Sequence, residues 1–447
     1  MKTIILESGR CAWGKCIFCV MSKKKQVRIK SKDELKQEFL KKLRDYKGEG
    51  VKIFNSGTFI DDQQIPREVR QFIFEELRKR GIKKIVIEVW PGFITHEKLS
   101  ELKEDAKDLE VHIAMGLESA NDEVLNKIKK GTTLKKWEES AKLIKRYGFK
   151  VRAYVMVNLP YVKDIKQDFE QTMKFALQYA DSIAVMNTFA YSSYAELFDM
   201  WLKGEWKPIT IEEFKEIVKN YQNHPKVEIY EQDYIIYPHF SEEYKEKAKH
   251  EIKGATIQNL THPYYEVWQD FISRFYKLPA IKKYALFMHC SYRKPYSRSQ
   301  THRKIISYLQ KLGKKYAEIH QLIISNPGVV PREFEDKYPF NAYDWPEYEE
   351  TEEIKKAYVE VNAKRIENYL RNHQYEKIFV YLKPGSESLK AFEIAAKKLR
   401  LNWINVLDEG RWKDIKEEKQ AYVDDILLEK MIEKIRKEIE KKEENFI

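Results

Sequence analysis

Over residues 1–190, short runs of β-branched and aromatic residues alternate with longer segments whose apolar positions recur every three or four residues. The runs at 3–7, 51–55, 84–89, 111–115, 151–157 and 182–187 predict strands. Stretches such as 32–46, 66–79, 122–129 and 134–147 predict amphipathic helices. Strands alternating with helices imply a parallel sheet. Six such units without an opening glycine-rich phosphate loop predict a partial or complete barrel, whose site belongs at the C-terminal strand ends.

The rhythm weakens over residues 191–275, which are aromatic and charged and read as an extension plus a helical connector. A second α/β pattern follows. Its strands are predicted at 284–289, 320–325, 377–382 and 403–407, and its helices at 298–316, 352–371 and 386–399. This predicts a smaller three-layer, doubly wound α/β domain. In the tail, Ile426, Leu427, Met431, Ile435 and Ile439 recur at helical spacing among charges. A packing helix is predicted there, with coiled-coil pairing as the alternative. The expected division is 1–240 for the barrel and its extension, 241–275 for the connector, 276–412 for the second α/β domain and 413–447 for the tail helix.

The chain has 447 residues, 43% of them hydrophobic, which suits two or three domains with real cores. No run of about 18 apolar residues exists, so no membrane span is expected. The N-terminus lacks the apolar run and small-residue cleavage site of a signal peptide, which predicts a cytoplasmic protein. Lys and Arg exceed Asp and Glu by 12. That excess suits a polyanionic partner such as RNA, and equally a Lys/Glu-rich thermophile surface. Three of the four cysteines, Cys11, Cys16 and Cys19, lie within nine residues, and the fourth is Cys290. In a cytoplasmic chain such clustering points to metal rather than disulfides.

Three thiolates on one loop can hold three irons of a cubane cluster and leave the fourth iron open for chemistry. The competing reading is a structural zinc site or buried thiols, but zinc wants a fourth Cys or His nearby, and the nearest histidine is His96 in another βα unit. The segment Cys11-Ala-Trp-Gly-Lys-Cys16-Ile-Phe18-Cys19 resembles the cluster loop of radical S-adenosylmethionine (SAM) enzymes, with a first gap of four residues where three is usual. In that family the open iron chelates SAM, and an electron from the [4Fe-4S] cluster cleaves SAM to methionine and a 5′-deoxyadenosyl radical. The resemblance implies that Phe18 packs on adenine.

Companion motifs end the following strands. Asn55-Ser56-Gly57-Thr58 stands where the family binds the SAM amino group. Residues 87–95 resemble the elongator-type E-T-R-P-D-x-I-T segment, departing at Val89, Trp90 and Gly92. Residues 116–125 resemble the G-x-E-S-x-x-D-x-V-L segment shared by elongator and methylthiotransferase branches, which implies Glu118 on the SAM ribose with Ser119 beside it. Asn158 and Leu159 end the fifth strand, where the family meets adenine. Each has a plainer alternative: Gly57 a turn, Glu118 the neighbour of a capping Asn121 or Asp122. No further cysteines for a second cluster and no acetyl-CoA loop are found, so a different second domain is expected.

In the second domain, Cys290-Ser-Tyr-Arg-Lys294-Pro-Tyr296-Ser-Arg-Ser299-Gln-Thr-His302 resembles the P-C-x3-K-P-Y-x2-S-x2-H signature of archaeosine synthase, with His289 at the proline position. Residues 325–344 also resemble that family's core. The likeness spans roughly residues 275–410 and leaves out the RNA-binding PUA domain. It implies addition of the lysine ε-amine to the nitrile of 7-cyano-7-deazaguanine at tRNA position 15, followed by radical cleavage of the lysine C–N bond to give archaeosine. Cys290 would add to the nitrile as a thioimidate, helped by Lys294 or His302, with His302 moving protons and Tyr296 and Ser299 donating hydrogen bonds. In isolation, Cys290 reads equally as a small buried hydrophobe. Lysine, an external electron donor and a separate transglycosylase-like subunit that grips tRNA are the further partners expected. The alternatives are a chain whose radical half alone is active, with residues 275–410 as a docking or RNA-binding platform, and a non-catalytic RNA-binding scaffold.

Overall fold

The computed structural model describes residues 1–19, 28–55, 57–190, 195–231, 238, 252–415 and 421–443. Ser56 and residues 241–251 of the expected connector lie outside them. The chain divides into two compact units, residues 1–235 and 236–447.

The first unit is built on seven parallel strands, β1 (Lys2–Leu6), β2 (Gly50–Asn55), β3 (Lys84–Glu88), β4 (Glu110–Glu118), β5 (Lys150–Val157), β6 (Ser182–Asn187) and β7 (Val227–Tyr230). Their spatial order is their sequence order. Right-handed crossovers that always step the same way put every helix on one face of the sheet. Those helices are α1 (Lys32–Leu43), α2 (Arg67–Lys79), α3 (His96–Ala106), α4 (Asp122–Lys127), α5 (Leu134–Arg146), α6 (Ile165–Tyr179), α7 (Glu196–Leu202) and α8 (Ile211–Val218). The strands alternate strictly. Val51, Ile53, Ile85, Ile87, Val111, Ile113, Val151 and Val155 join Leu35, Ile73, Leu99, Trp137 and Phe169 in one core. The residues between them, including Lys52, His112 and Arg152, point to the other face.

That face shows that the sheet curls. Five strand spacings of about 4.8 Å would separate β2 from β7 by about 24 Å in a flat sheet. Yet Lys52 on β2 lies 3.6 Å from Glu228 on β7 and hydrogen-bonds Tyr230 at 2.7 Å, while Arg152 on β5 clasps Glu228 at 2.8 and 3.0 Å. The unit is a seven-stranded partial barrel. β7 was not foreseen; its short, half-buried Val-Glu-Ile-Tyr run gave too few positions to establish a period.

The second unit has a five-stranded mixed sheet in the order β10-β9-β8-β11-β12. These are β8 (Tyr284–His289), β9 (Ile319–Ser325), β10 (Gly328–Pro331), β11 (Lys377–Tyr381) and β12 (Ile404–Asn405). β10 turns straight back from β9 and pairs antiparallel, and the other pairs are parallel. The strand foreseen at 403–407 shrinks to two residues. The helices are α9 (Ile257–Leu260), α10 (Pro263–Arg274), α11 (Gln300–Leu309), α12 (Glu352–Asn372), α13 (Glu387–Leu399), α14 (Glu409–Asp414) and α15 (Asp425–Glu443). α11 and α15 cover one face: Ile305, Leu309, Leu428, Met431, Ile435 and Ile439 pack on Tyr284, Leu286 and Phe379. α13 covers the other, with Phe392 against Phe287 at 5.0 Å. The result is three layers wound both ways from β8. The tail helix therefore packs on its own unit's sheet, although Ile426 is left half exposed.

Candidate functional site

The cysteine loop leaves the C-terminal end of β1. Cys11, Cys16 and Cys19 are partly exposed residues that form no disulfide with one another. The loop is pinned from three sides. Ile17 N donates to Ile128 O at 3.1 Å, and the Trp13 indole donates to Lys129 O at 2.7 Å. Gln64 donates to the Arg10 carbonyl while its oxygen accepts from Asn55 Nδ2 at 2.7 Å and Thr58 N at 2.8 Å. Gly57 is needed where backbone meets backbone, since a Cβ there would lie 2.8 Å from the Cys11 Cα. Trp13 stacks on Trp90 at 5.5 Å and lies against Gly131, where a Cβ would come within 2.3 Å of the ring.

Beside the loop sits a buried ion pair. Lys130 Nζ meets Glu118 Oε1 at 2.5 Å, with both side chains nearly sealed from solvent. Glu118 ends β4 at φ 65°, just past a register shift in its pairing with β5. Gly116 makes room for the pair: a Cβ there would lie 2.1 Å from Glu118 Oε1 and 2.2 Å from Lys130 Nζ. The Lys130 ammonium also lies 5.7 Å from the centre of the Phe18 ring. Burial pushes the Cys16 thiol up to about 12, and Lys130 pulls the other way.

The other expected residues stand at the same strand ends. Thr58 is buried and its hydroxyl accepts from Trp90 N at 3.1 Å. Ser119 donates to Asp168 at 2.6 Å, and burial raises that carboxyl. Asn158, at φ 68°, spends its side-chain amide on Lys207 O at 3.0 Å and its carbonyl on the Trp206 indole at 2.9 Å. Leu159 is buried beside it.

Among the described residues, no three His, Cys, Asp or Glu side chains converge on one single-ion position. A cubane asks for something else, one thiolate on each of three separate irons. Three partly exposed thiols on a loop fastened to four strand ends suit it, and the buried ammonium beside Cys16 offsets the charge of such an assembly. Cys11, Cys16 and Cys19 would hold the cluster. Glu118, Lys130 and the 57–58 backbone would hold the polar parts of SAM, with Phe18 and Leu159 on its base. Lys130 and Gln64 escaped the sequence reading because no period or motif marks them, and Trp13 lay inside the cysteine motif with no role read for it.

In the second unit Cys290 follows β8 directly. Ser325 at the end of β9 and Tyr343 from the loop beyond β10 close on it. Ser325 Oγ and Tyr343 OH are 2.5 Å apart, and Tyr296 OH lies 3.0 Å from Tyr343 OH. The Ser325 hydroxyl also lies beside the Cys290 thiol and the Tyr296 hydroxyl. Lys294 Nζ lies 3.9 Å from the centre of the Tyr343 ring and donates to Tyr292 O at 3.1 Å. Burial raises the Cys290 thiol and lowers Lys294, and each partly restores the other's charged form.

Ser299 is the N-cap of α11, its hydroxyl accepting from His302 N at 3.1 Å. His302 is fully buried with both ring nitrogens engaged: His289 O at 3.0 Å from Nε2 and Arg332 Nη2 at 3.0 Å from Nδ1. A carbonyl can only accept and a guanidinium only donate, so the ring is neutral and protonated on Nε2. Burial, then His289 and Arg332, holds it well below the ordinary histidine range. The expected proton shuttle is thus held in one tautomer, and His302 serves as a brace between β8 and the Arg332–Glu335 pair at 2.7 Å. Ser325, Tyr343 and Arg332 lay in a stretch already singled out, but nothing local told which of them turn toward Cys290.

Comparison with known proteins agrees with this division. Residues 7–176 match the radical SAM superfamily and residues 266–422 match a domain of unknown function, DUF5591. The chain is 32% identical over 174 residues to an uncharacterized protein of Methanocaldococcus jannaschii, covering 36% of this chain and 47% of that one. It is 26% identical over 216 residues to archaeosine synthase subunit beta of Methanosarcina acetivorans, covering 46% and 62%. It is 32% identical over 154 residues to archaeosine synthase subunit alpha of Thermoplasma acidophilum, covering 34% and 28%. The chain thus spans about half the length of the first two relatives and less of the third. Two family models thus match separate stretches of this one chain, that of the radical SAM superfamily at residues 7–176 and DUF5591 at residues 266–422, and the relatives it resembles in part include proteins named as each subunit of archaeosine synthase.

Proposed function

We propose that this chain carries out both late steps of archaeosine formation on tRNA. The second unit joins lysine to the nitrile of 7-cyano-7-deazaguanine at position 15, and the first cleaves the lysine C–N bond to leave archaeosine. The observation that carries this reading is the likeness of one chain to relatives named as the alpha and as the beta subunit.

The chemistry that a [4Fe-4S] cluster and SAM supply, when held by Cys11, Cys16 and Cys19, is one-electron reduction that yields a hydrogen-abstracting radical. The chain's own residues hold and orient. Glu118 offers a carboxylate edge for paired hydroxyls, and Lys130 pairs with that carboxylate in a dry setting. Gly57 lets backbone approach closely, and the Trp13–Trp90 stack shields one side of the loop from water.

In the second unit, Cys290 is the nucleophile and Lys294 the cation that favours its thiolate character as the bond forms. The tRNA, the lysine, an external electron donor and a transglycosylase-like subunit for tRNA grip belong to the same proposal.

The test is mass spectrometry of the position-15 nucleoside after anaerobic incubation of precursor tRNA with lysine, SAM and reductant. Wild type should give archaeosine, Cys16→Ala should stop at the lysine adduct, and Cys290→Ala should leave the nitrile. Unchanged tRNA mass with the wild-type chain would remove the reading.

A further inference from the structure

Resting on the reading of Cys290 as a nucleophile toward a nitrile, we propose that Ser325 and Tyr343, with Tyr296, form the relay that carries the thiol proton to the nitrile nitrogen and later returns a proton to sulfur. Ser325 lies beside the reacting sulfur and is the member of the relay that would exchange a proton with it. Tyr343 acts through it and is a positioning residue.

Three features of the geometry carry this. First, the hydroxyls of Ser325, Tyr343 and Tyr296 are mutually bonded, at 2.5 Å between Ser325 and Tyr343 and 3.0 Å between Tyr343 and Tyr296, and the Ser325 hydroxyl also meets the Cys290 thiol. A hydroxyl both donates and accepts, so a closed group of them can pass a proton by concerted exchange. Second, exposure is divided across the site. Tyr296 and Ser325 are fully buried and Tyr343 is 7% exposed, whereas Cys290 stays partly open. The hydroxyls are thus closed to solvent and stand beside a residue that is itself partly exposed. Third, both ring nitrogens of His302, the histidine of the signature, are engaged. His302 is locked between His289 O and Arg332, and Arg332 is itself held by Gln321 and Glu335. Tyr265, fully buried and edge-on to Tyr343 at 6.0 Å, adds a hydroxyl without a hydrogen-bond partner among the described residues.

The balance closes without an outside reagent. The S–H bond breaks, an S–C bond forms at the nitrile carbon, one C–N π bond opens, and the proton reaches nitrogen through Ser325 and Tyr343, giving a thioimidate. The attacked nitrogen becomes strongly basic as its π bond opens, which draws a proton along a chain of weak acids. The incoming amine then forms a C–N bond, the C–S bond breaks, and a proton leaving the amine returns to sulfur along the same hydroxyls. The product is an amidine and the free thiol, with no change in oxidation state.

The experiment measures covalent adduct formation on the full chain by intact mass, with a 7-cyano-7-deazaguanine nucleoside and no amine. The wild type should form the adduct with a solvent deuterium effect. Ser325→Ala and Tyr343→Phe should slow it about 10²-fold and lose that isotope effect, while Ser325→Thr, which keeps a hydroxyl, should recover most of the rate. Alkylation of Cys290 by iodoacetamide, which needs no proton delivered to nitrogen, should survive in Tyr343→Phe. Adduct formation at the wild-type rate in both hydroxyl variants overturns the relay. Loss of iodoacetamide labelling alongside the adduct also overturns it, because packing would then be the cause. Absence of any wild-type adduct, with lysine addition persisting in Cys290→Ala, instead removes the underlying reading of Cys290.

Discussion

The two units place their reactive groups at the same address, the C-terminal ends of parallel strands, but surround the reactive thiols with different groups. At the end of β4 a full ion pair, Glu118 with Lys130, is buried beside partly exposed thiols. At the ends of β8 and β9 the groups nearest Cys290 are hydroxyls of Ser325, Tyr296 and Tyr343, with a His302 ring that burial keeps uncharged and the Arg332–Glu335 ion pair set behind that ring. A site that must hold a charged assembly keeps fixed charges of both signs ready. A site that must move protons keeps groups that donate and accept at little cost in solvation. In the first unit Gly57, Gly116 and Gly131 stand where side chains or backbone crowd together.

The sharpest way to break the comparison is to empty the first site. Cys16→Ala should abolish binding of about four irons per chain, measured as iron and acid-labile sulfide after anaerobic reconstitution. The lysine adduct should still accumulate. Loss of both reactions together would mean that the sites do not work separately.

Next in size is the buried pair. Lys130→Met leaves Glu118 as an uncompensated buried charge and should cost the first unit about 3–5 kcal/mol in urea unfolding. The double variant Lys130→Met/Glu118→Gln should recover most of that loss. If the single variant is as stable as wild type, Glu118 does not depend on Lys130.

Acid should act on the second unit. Burial lowers His262 to about 4 from an ordinary 6.5, and lowers His289 to about 3. A histidine depressed by folding takes its proton first in the unfolded chain. Its contribution is therefore complete above about pH 6.5 and is lost as pH falls toward the folded value. For His262 this amounts to about 3 kcal/mol, with a limiting slope of about 1.4 kcal/mol per pH unit. In the first unit, burial lowers His112 too, but Glu110 pulls it back. Urea unfolding between pH 7 and 4 should thus weaken residues 236–447 first, and His262→Asn, which keeps a side chain able to cap α10, should flatten the slope by one proton. An unchanged slope would sink the assignment.

The smallest effect should be indifferent to the contrast. Ser31 caps α1, accepting from Glu34 N at 3.2 Å, and Ser386 caps α13, accepting from Leu389 N at 3.3 Å. Replacing either by Ala should cost about 1 kcal/mol in thermal or urea unfolding, in either unit, because a cap acts on its own helix alone.

Much of the scaffold was legible because its period is local. The alternation at Val51, Ile53, Ile85 and Ile87 declares strands with one apolar face, and the order of strands and helices declares a parallel sheet. β7 and β10 were missed because four-residue strands carry too little pattern, and β10 is a strand only because β9 lies beside it. Of the sites, spacing in the chain disclosed Cys11, Cys16 and Cys19 and the run from Cys290 to His302.

What the sequence determined by itself was therefore whatever depends on near neighbours: the strand and helix periods, the cysteine loop, and the signature after β8. Only the tertiary structure decided that Lys130 neutralises Glu118, that Gln64 ties the cluster loop to β2, that His302 is braced instead of free, and that Ser325 and Tyr343 join Cys290 from 35 and 53 residues further along the chain. The physical reason is that burial and charge pairing depend on distance in space, and parallel strands bring their ends together regardless of how much chain lies between them.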